Sequence, residues 1–285
     1  MNKFKKIIVT AMALLMTFVC AISFVGCGKD IKDVDVRISV YNFTDNVYED
    51  YSLDIELYGH LAPTTVAQIS SLIKSGYYND TVFYKMSKYD DQLMLGDLKY
   101  DPENQENCGF YLNAEKPTIK GEFKYGGTTG SNLKNKEGSI GLWRTWAAQD
   151  DSYNAGYNSG STGMDTGSAT WFIPTKALTA YDDYFCVFGQ YDVNDEDNKE
   201  TITDIKALFS NTARYQEFVI YYTGEYGNLT FHCVKAEDFD KEEIVDLFEA
   251  EEDSAELVCY NNYTIKVPMT SDGRVAAKIV RAQMD

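Results

Sequence analysis

The sequence contains little of the material on which histidine chemistry, metal binding and nucleic-acid binding depend. Histidine occurs only twice, as His60 and His232, so a catalytic triad or a His-rich metal centre has few candidate residues. No two cysteines have the Cys-x-x-Cys spacing of a metal site. The carboxylates of 150–167 lack the alternating spacing of a calcium loop. The 26 basic residues face 44 acidic ones, and the net charge of -18 disfavours nucleic acid. We therefore expect no metal, no cofactor and no nucleic-acid partner.

Proline and low-complexity sequence are also scarce. Only five prolines occur, and no repetitive run is found, which argues against a long unfolded linker. The chain that follows the N-terminal apolar run is long enough for one large domain or two small ones.

The N-terminus has the features of an export signal. Lysines within the first six residues precede an almost unbroken apolar run over 7–25. This run ends in Phe-Val-Gly before Cys27, which resembles a lipobox, where cleavage exposes a cysteine that carries lipid. We interpret 1–26 as a lipoprotein signal peptide, Cys27 as the lipidation site and 27–34 as a tether. An uncleaved signal anchor is the alternative.

A lipid-anchored chain is expected on the extracytoplasmic face of the cell membrane, where disulfides can form. Four cysteines remain beyond the lipobox, namely Cys108, Cys186, Cys233 and Cys259. Their even number permits up to two disulfides, but their spacing does not pair them. We interpret them as buried free thiols, Cys186 especially, because it lies within an apolar run.

Short strands dominate the predicted secondary structure. Segments 36–41 and 51–58 alternate in polarity as half-buried strands do, and the turn-rich 42–50 between them predicts a hairpin. Further strands are predicted within 77–97, 121–127, 138–145, 170–174 and 185–190, and closing strands at 263–267 and 275–281. This recurrence predicts an all-β barrel or sandwich.

Two helices are predicted among these strands. Pro63 suits a first helical turn, apolar residues follow at helical spacing, and Gly76 provides a left-handed stop. The second helix places Ile202, Ile205 and Leu208 on one face.

The segment at about 192–260 fits the barrel pattern least well and is predicted to be an insertion. It contains two apolar runs, 218–222 and 229–233, which predict an extra hairpin. The acidic stretch 237–256 that follows has a helical pattern with one apolar face. We interpret this stretch as a helix that docks on the barrel; a helix that binds a partner is the alternative.

Seven short motifs follow one another between about 36 and 191. They are Ala-Pro-Thr-Thr-Val at 62–66, Gly-Tyr-Tyr-Asn-Asp-Thr-Val-Phe at 76–83, Leu-Met-Leu-Gly-Asp at 93–97, Ile-Lys-Gly-Glu-Phe at 119–123, Gly-Ser-Ile-Gly-Leu-Trp-Arg at 138–144, Ala-Thr-Trp-Phe-Ile at 169–173 and Tyr-Phe-Cys-Val-Phe-Gly at 184–189. Together, in this order, they resemble the cyclophilin-type peptidyl-prolyl isomerases. The resemblance implies one domain over 35–285, an eight-stranded antiparallel barrel with two capping helices, an outer peptide groove and an insertion before the last strand.

The implied reaction is rotation about an X-Pro bond. The barrier to this rotation is about 20 kcal/mol. A protein lowers it when a pocket holds the proline ring and a hydrogen-bond donor binds the twisted bond more tightly than the planar one. The resemblance places Lys85 where the family has its arginine donor and Phe172 on the pocket floor. Lys offers a flexible point charge where Arg offers a planar fork, so weak catalysis is expected. The alternative is that Lys85 is a solvated strand residue.

The resemblance also implies the residues of the substrate groove. They are Met94, Leu142, Trp143, Thr170, Tyr181 and Phe185. Met94 stands in place of a glutamine that orients the arginine, Trp143 replaces a small alanine, and Thr170 replaces a groove glutamine. The Gly- and Ser-rich loop 150–167 joins two groove strands and is predicted to be a flap.

Two functions remain open from the sequence. One is a peptidyl-prolyl isomerase that assists folding of exported proteins at the membrane surface. The other is a catalytically weak or inactive lipoprotein that binds peptides or proteins. Both predict a monomer whose partners are proline-containing segments. The isomerase function requires Lys85 and Phe172 on the same side of the domain, and a pocket that Trp143 leaves open.

Overall fold

The computed structural model describes residues 30–104, 106–124, 133–144, 165–225, 228–240 and 260–284. The predicted signal peptide with Cys27, most of the predicted flap and most of the predicted acidic helix lie outside these ranges and stay predictions. In the described ranges, no helix combines the length and the apolar character needed to cross a membrane.

Strands are the most numerous elements of the described structure. The strands are β1 Ile31–Asn42, β2 Val47–Tyr58, β3 Lys85–Met86, β4 Gln92–Leu95, β5 Leu98–Tyr100, β6 Phe110–Leu112, β7 Ser139–Leu142, β8 Trp171–Pro174, β9 Cys186–Gln190, β10 Tyr215–Glu225, β11 Asn228–Lys235, β12 Tyr260–Pro268 and β13 Ala277–Met284. The helices are α1 Pro63–Lys74 and α2 Glu196–Leu208.

A closed antiparallel barrel is the main unit. Seven strands pair in the order β13-β1-β2-β9-β7-β8-β4. The segment 81–84 joins the two edges, since Phe83 N donates to Ala277 O and the backbone of Tyr84 exchanges two bonds with Met94. This segment is the eighth strand, so the predicted eight-stranded antiparallel barrel is confirmed.

Alternating burial explains why these strands curl around a core. In β1, Val34, Val36 and Ile38 are at most 1% exposed, while Arg37 between them faces solvent. Strand β2 repeats the pattern with Leu53, Ile55 and Leu57 inside. Each such side chain contributes roughly 1.5–3 kcal/mol when it leaves water. We call this interior the barrel core.

Both predicted helices are confirmed. Helix α1 begins at Pro63 and is followed by Gly76, whose φ of 70° is the left-handed stop expected there. Helix α2 is capped by Asp195, whose carboxylate accepts a bond from Asn198 N at 2.9 Å. Its buried face includes Ile202, and Thr201 Oγ1 donates to the Ser52 carbonyl of β2 at 2.8 Å.

The predicted strand at 121–127 does not form in its described part, 121–124. Glu122 instead turns inwards, and its carboxylate accepts bonds from Thr64 N at 2.9 Å and Thr65 N at 2.7 Å. Residues 121–124 therefore cap the first turn of α1 and do not pair as a strand.

The insertion forms a second sheet in the order β11-β10-β12-β3. The predicted hairpin is confirmed as β10 and β11. The prediction that 263–267 closes the barrel is wrong, because β12 pairs with β10 and with Lys85 and Met86 of β3. Strand β13 alone returns to β1.

A second core lies between the outer wall of the barrel and this insertion sheet. Residues of the barrel and of the insertion sheet belong to one buried cluster, which includes Tyr84, Met94, Phe172 and Phe185 from the barrel and Phe218, Ile220, Ile265 and Val267 from the insertion sheet. The wall on which the family resemblance places a peptide groove is therefore partly covered.

Candidate functional site

Phe172 lies on β8 directly opposite Met94 of β4, and neither side chain is exposed. Its neighbours along β8, Trp171 and Ile173, point into the barrel core, so Phe172 points outwards into the second core. The ring lies across Gly141 of β7. A Cβ at Gly141 would fall 2.2 Å from Phe172 Cζ, so this position has room only for glycine.

Aromatic rings cover Phe172 on its outer side. The ring centroid of Phe172 is 6.1 Å from Trp143, 5.9 Å from Tyr181 and 5.4 Å from Phe185. Phe185 is stacked between the other two, at 5.3 Å from Trp143 and 4.5 Å from Tyr181. Tyr89 extends this aromatic cluster, 5.4 Å from Trp143. Each such pair of rings contributes about 0.5–1.5 kcal/mol beyond the burial of its surface, so these contacts stabilise the aromatic cluster over Phe172.

Lys85 is on the other face of its strand. Tyr84 points into the second core with Phe172, and successive side chains of an extended chain alternate between faces. The Lys85 ammonium donates to the Asp90 carbonyl at 2.6 Å and lies 5.3 Å from the ring centroid of Phe209. Burial lowers the pKa of Lys85, although Asp90 opposes this shift. Lys85 and Phe172 do not share a side-chain cluster.

The remaining predicted groove residues divide between two surroundings. Met94, Trp143, Tyr181 and Phe185 gather around Phe172 in the second core or against it. Leu142 instead belongs to the barrel core. Thr170 flanks the cluster, since its carbonyl accepts a bond from Trp143 N at 2.8 Å.

The sequence did not predict a hydrogen-bonded Asp–Tyr pair beside this wall, in which Tyr84 is buried and Asp97 is half-buried. Tyr84 Oη donates to the carboxylate of Asp97, 3.0 and 3.1 Å from its two oxygens. Burial raises the pKa of Asp97 and raises that of Tyr84 well above its usual value. Tyr222 and Tyr263 of the insertion sheet add to this group, and burial raises their pKa values too. The Gly-Asp motif marks Asp97 in the sequence, but no sequence signal identifies its partners.

Gln92 is a second residue that sequence reasoning missed. It lies on β4 two residues before Met94, which places both side chains on the same outer wall, and it faces Pro174 across the ladder. Its side chain is 1% exposed, and neither Oε1 nor Nε2 has a hydrogen-bond partner among the described residues. A buried amide with a free donor and a free acceptor matches the hydrogen-bonding groups of a peptide bond.

A polar cavity lies away from the aromatic cluster. Its volume is about 670 Å³, and its lining includes Asp54, Tyr58, Asp192 and Asp195 at the edge of β2 and the start of α2. Within the described part of the chain, no group of three His, Cys, Asp or Glu residues is placed to hold a metal ion.

The closed antiparallel barrel with its two helices defines an all-β barrel protein. The family model described as "Cyclophilin type peptidyl-prolyl cis-trans isomerase/CLD" matches residues 44–225. The chain belongs to this family of peptidyl-prolyl isomerases. The match ends in β10, so β11, β12 and β13 lie beyond it.

Two solved structures are similar to this chain at low identity. One is a cyclophilin type peptidyl-prolyl cis-trans isomerase of Cryptosporidium parvum, at 17% identity and a TM-score of 0.39, covering 62% of this chain and 84% of its own. The other is that protein in the presence of the dipeptide Ala-Pro, at 16% identity and a TM-score of 0.36, covering 58% and 83%. No curated protein sequence matches this chain.

Proposed function

We propose that this chain binds proline-containing segments of exported proteins with little isomerase turnover. We further propose that it is a monomer, anchored by lipid at Cys27 on the extracytoplasmic face of the cell membrane. Family membership supports recognition of proline-containing segments, and the lipobox-like sequence supports the location. The observation that carries the proposal of weak turnover is that Phe172, which the family resemblance places on the pocket floor, is completely buried.

Efficient isomerisation needs a ring-sized pocket and a donor that favours the twisted bond. Phe172 offers no open surface to a proline ring in this conformation. Lys85 offers no donor there either, because its ammonium is bonded to Asp90 O and lies beside Phe209. Both requirements of the reaction are unmet in the described geometry, which supports the binding role.

Binding has a physical basis on the same wall. Trp143, Tyr181 and Tyr89 are each half-buried and present part of their rings at the surface. Aromatic surfaces of this kind recognise proline-rich segments, because such segments are already extended and lose little entropy on docking. The unpartnered amide of Gln92, on the neighbouring strand, would gain hydrogen bonds from a peptide that reaches it.

A working isomerase that assists folding of exported proteins is the second candidate. The family match supports it, as does the residue type of Phe172, which the resemblance assigns to the pocket floor. This candidate requires Trp143 to move away from Phe172 when a substrate binds.

Exchange NMR on a proline peptide, with the full chain solubilised in detergent, separates these functions. We expect wild-type protein to broaden and shift the peptide signals without appreciable acceleration of cis/trans exchange. Trp143→Ala removes one of the rings on which the peptide would dock, so it should weaken binding without raising the exchange rate. Tyr111→Ala, at an exposed aromatic residue outside the cluster, should change neither. Rapid exchange with wild-type protein would establish the isomerase instead. Absence of any peptide binding by the wild-type protein would refute the proposed binding role.

The double substitution Lys85→Arg with Met94→Gln tests the donor position. These changes restore the family's residue types, but Lys85 faces away from Phe172, so we expect no gain in exchange rate. Because Met94 is fully buried, circular dichroism must first show that the variant is folded. A clear gain in rate would mean that residue 85 reaches the groove.

A further inference from the structure

The turn between β5 and β6 is attached to the insertion sheet on both sides of Cys108. On one side, Asn107 Oδ1 accepts a bond from Cys233 N at 3.1 Å. On the other side, the rings of Phe110 and Phe218 meet at 4.8 Å with their planes 68° apart. Cys108 therefore lies in a short segment that contacts β11 and β10 directly.

The backbone of this turn adopts an unfavourable conformation. Asn107 has a φ of 50° and Cys108 a φ of 54°, so both lie in the left-handed region. Residues other than Gly and Asn avoid this region, so the conformation is unfavourable for Cys108 in particular. Such a conformation persists only where surrounding contacts impose it. Here the Asn107 bond to β11 is such a contact, and it holds the turn that carries Cys108 against the strand that carries Cys233.

The two thiols are close enough to interact electrostatically. Burial raises the pKa of the Cys233 thiol to about 12, and the charge of Cys108 adds to this increase. Cys108 is exposed whereas Cys233 is buried. Cys186, the third free thiol of the described chain, is buried elsewhere beside Thr65, as its sequence predicted.

We propose that Cys108 and Cys233 form a disulfide that joins the barrel turn to the insertion sheet. The Cys108 thiolate attacks a disulfide oxidant, either a small molecule or a thiol–disulfide oxidoreductase, and one thiol leaves. The Cys233 thiolate then attacks the sulfur of Cys108, and the second thiol leaves. The two cysteines lose two electrons and two protons, and the oxidant disulfide is reduced to two thiols.

The order of these steps follows from exposure. Cys108 meets the oxidant first, and the buried, weakly acidic Cys233 completes the bond in the slower step. The reaction should therefore speed up as the pH rises. In the cell the oxidant depends on the export that we propose, but the bond itself is independent of peptide binding.

Peptide mapping tests the bond on the full chain in detergent. The protein is incubated with oxidised glutathione or with a reductant, denatured, alkylated and digested. We expect a linked peptide pair containing Cys108 and Cys233 in the oxidised sample only. Cys186→Ser should retain this pair, whereas Cys108→Ser should lose it and leave Cys233 free to react with the alkylating reagent.

Thermal unfolding of the same samples gives a second measurement. The oxidised wild-type protein should melt several degrees above the reduced protein, and Cys108→Ser should show no such difference. Complete alkylation of Cys108 and Cys233 after oxidation would refute the proposal, as would a bond between Cys233 and Cys259. Either result would leave the proposed peptide binding unaffected.

Discussion

Burial shifts the pKa values of individual side chains beside the aromatic cluster. Asp97 is the clearest case, because the residue is half-buried and its carboxylate accepts the Tyr84 hydroxyl at 3.0 Å. Burial raises the pKa of Asp97 despite this hydrogen bond and one from Thr170, both of which lower it. The native structure therefore holds a carboxylate whose ionisation costs more than it does in water.

Replacing Asp97 with Asn should reduce the pH dependence of stability. The folded pKa is raised, so on raising the pH the unfolded chain loses its proton first, and ionisation favours unfolding from the ordinary pKa of 3.8 up to the folded pKa. Above that window the penalty is constant. Urea unfolding between about pH 3 and pH 7 should show Asp97→Asn gaining stability relative to wild type as pH rises. Asp50→Asn, on the exposed side of β2, is the control, and parallel curves for Asp97→Asn and wild type would contradict the prediction.

Helix α1 depends on a residue far away in the sequence. Its first turn has no acidic residue, and Ala62 at its N-cap provides no side-chain bond. The buried carboxylate of Glu122 supplies both, since it accepts bonds from Thr64 N and Thr65 N. A negative charge at this end also complements the helix dipole.

Glu122→Gln should lower the free energy of unfolding by about 1–2 kcal/mol, because one charge-assisted acceptor is lost while the side-chain shape is kept. Glu115→Gln, on an exposed residue of the same connecting segment, should change it by less than about 0.5 kcal/mol. Urea denaturation at neutral pH measures both values. Equal stability of the two variants would mean that Glu122 does not stabilise the helix.

The elements that could be predicted from the sequence are those that local patterns determine. Alternation in β1 and β2, and the Pro63 and Gly76 limits of α1, depend on residues close together in the chain. Contacts between distant segments determine the other features. These are the pairing of β12 with β10 and β3, the capping of α1 by Glu122 and the stacking of Trp143 on Phe185. Most of the barrel, and through the family resemblance most of the residues around Phe172, could therefore be predicted, but the direction of Lys85 and the burial of Phe172 could not.

At the scale of the whole molecule, barrel and insertion share the second core. Phe218 and Ile220 of β10 pack with Phe172 and Met94 of the barrel wall. Strand β12 pairs with β3, and β13, which follows β12 in the chain, completes the barrel. Buried side chains and the chain itself, through β3 and β13, connect the barrel to the insertion sheet. We therefore expect the two sheets to unfold as one cooperative unit.

Phe218→Ala tests this cooperativity. The ring is 2% exposed and packs against Phe110, so its removal should cost about 3–5 kcal/mol of stability, against less than about 0.5 kcal/mol for the exposed Val193→Ala. Hydrogen exchange should show the amides of β1 and β10 losing protection together by the same amount, because the lost contact belongs to a core that both sheets share. If β10 lost protection in Phe218→Ala while β1 kept its wild-type protection, the insertion sheet would be a separate unit. The insertion sheet would then be able to move away from Met94 and Phe172 without unfolding the barrel.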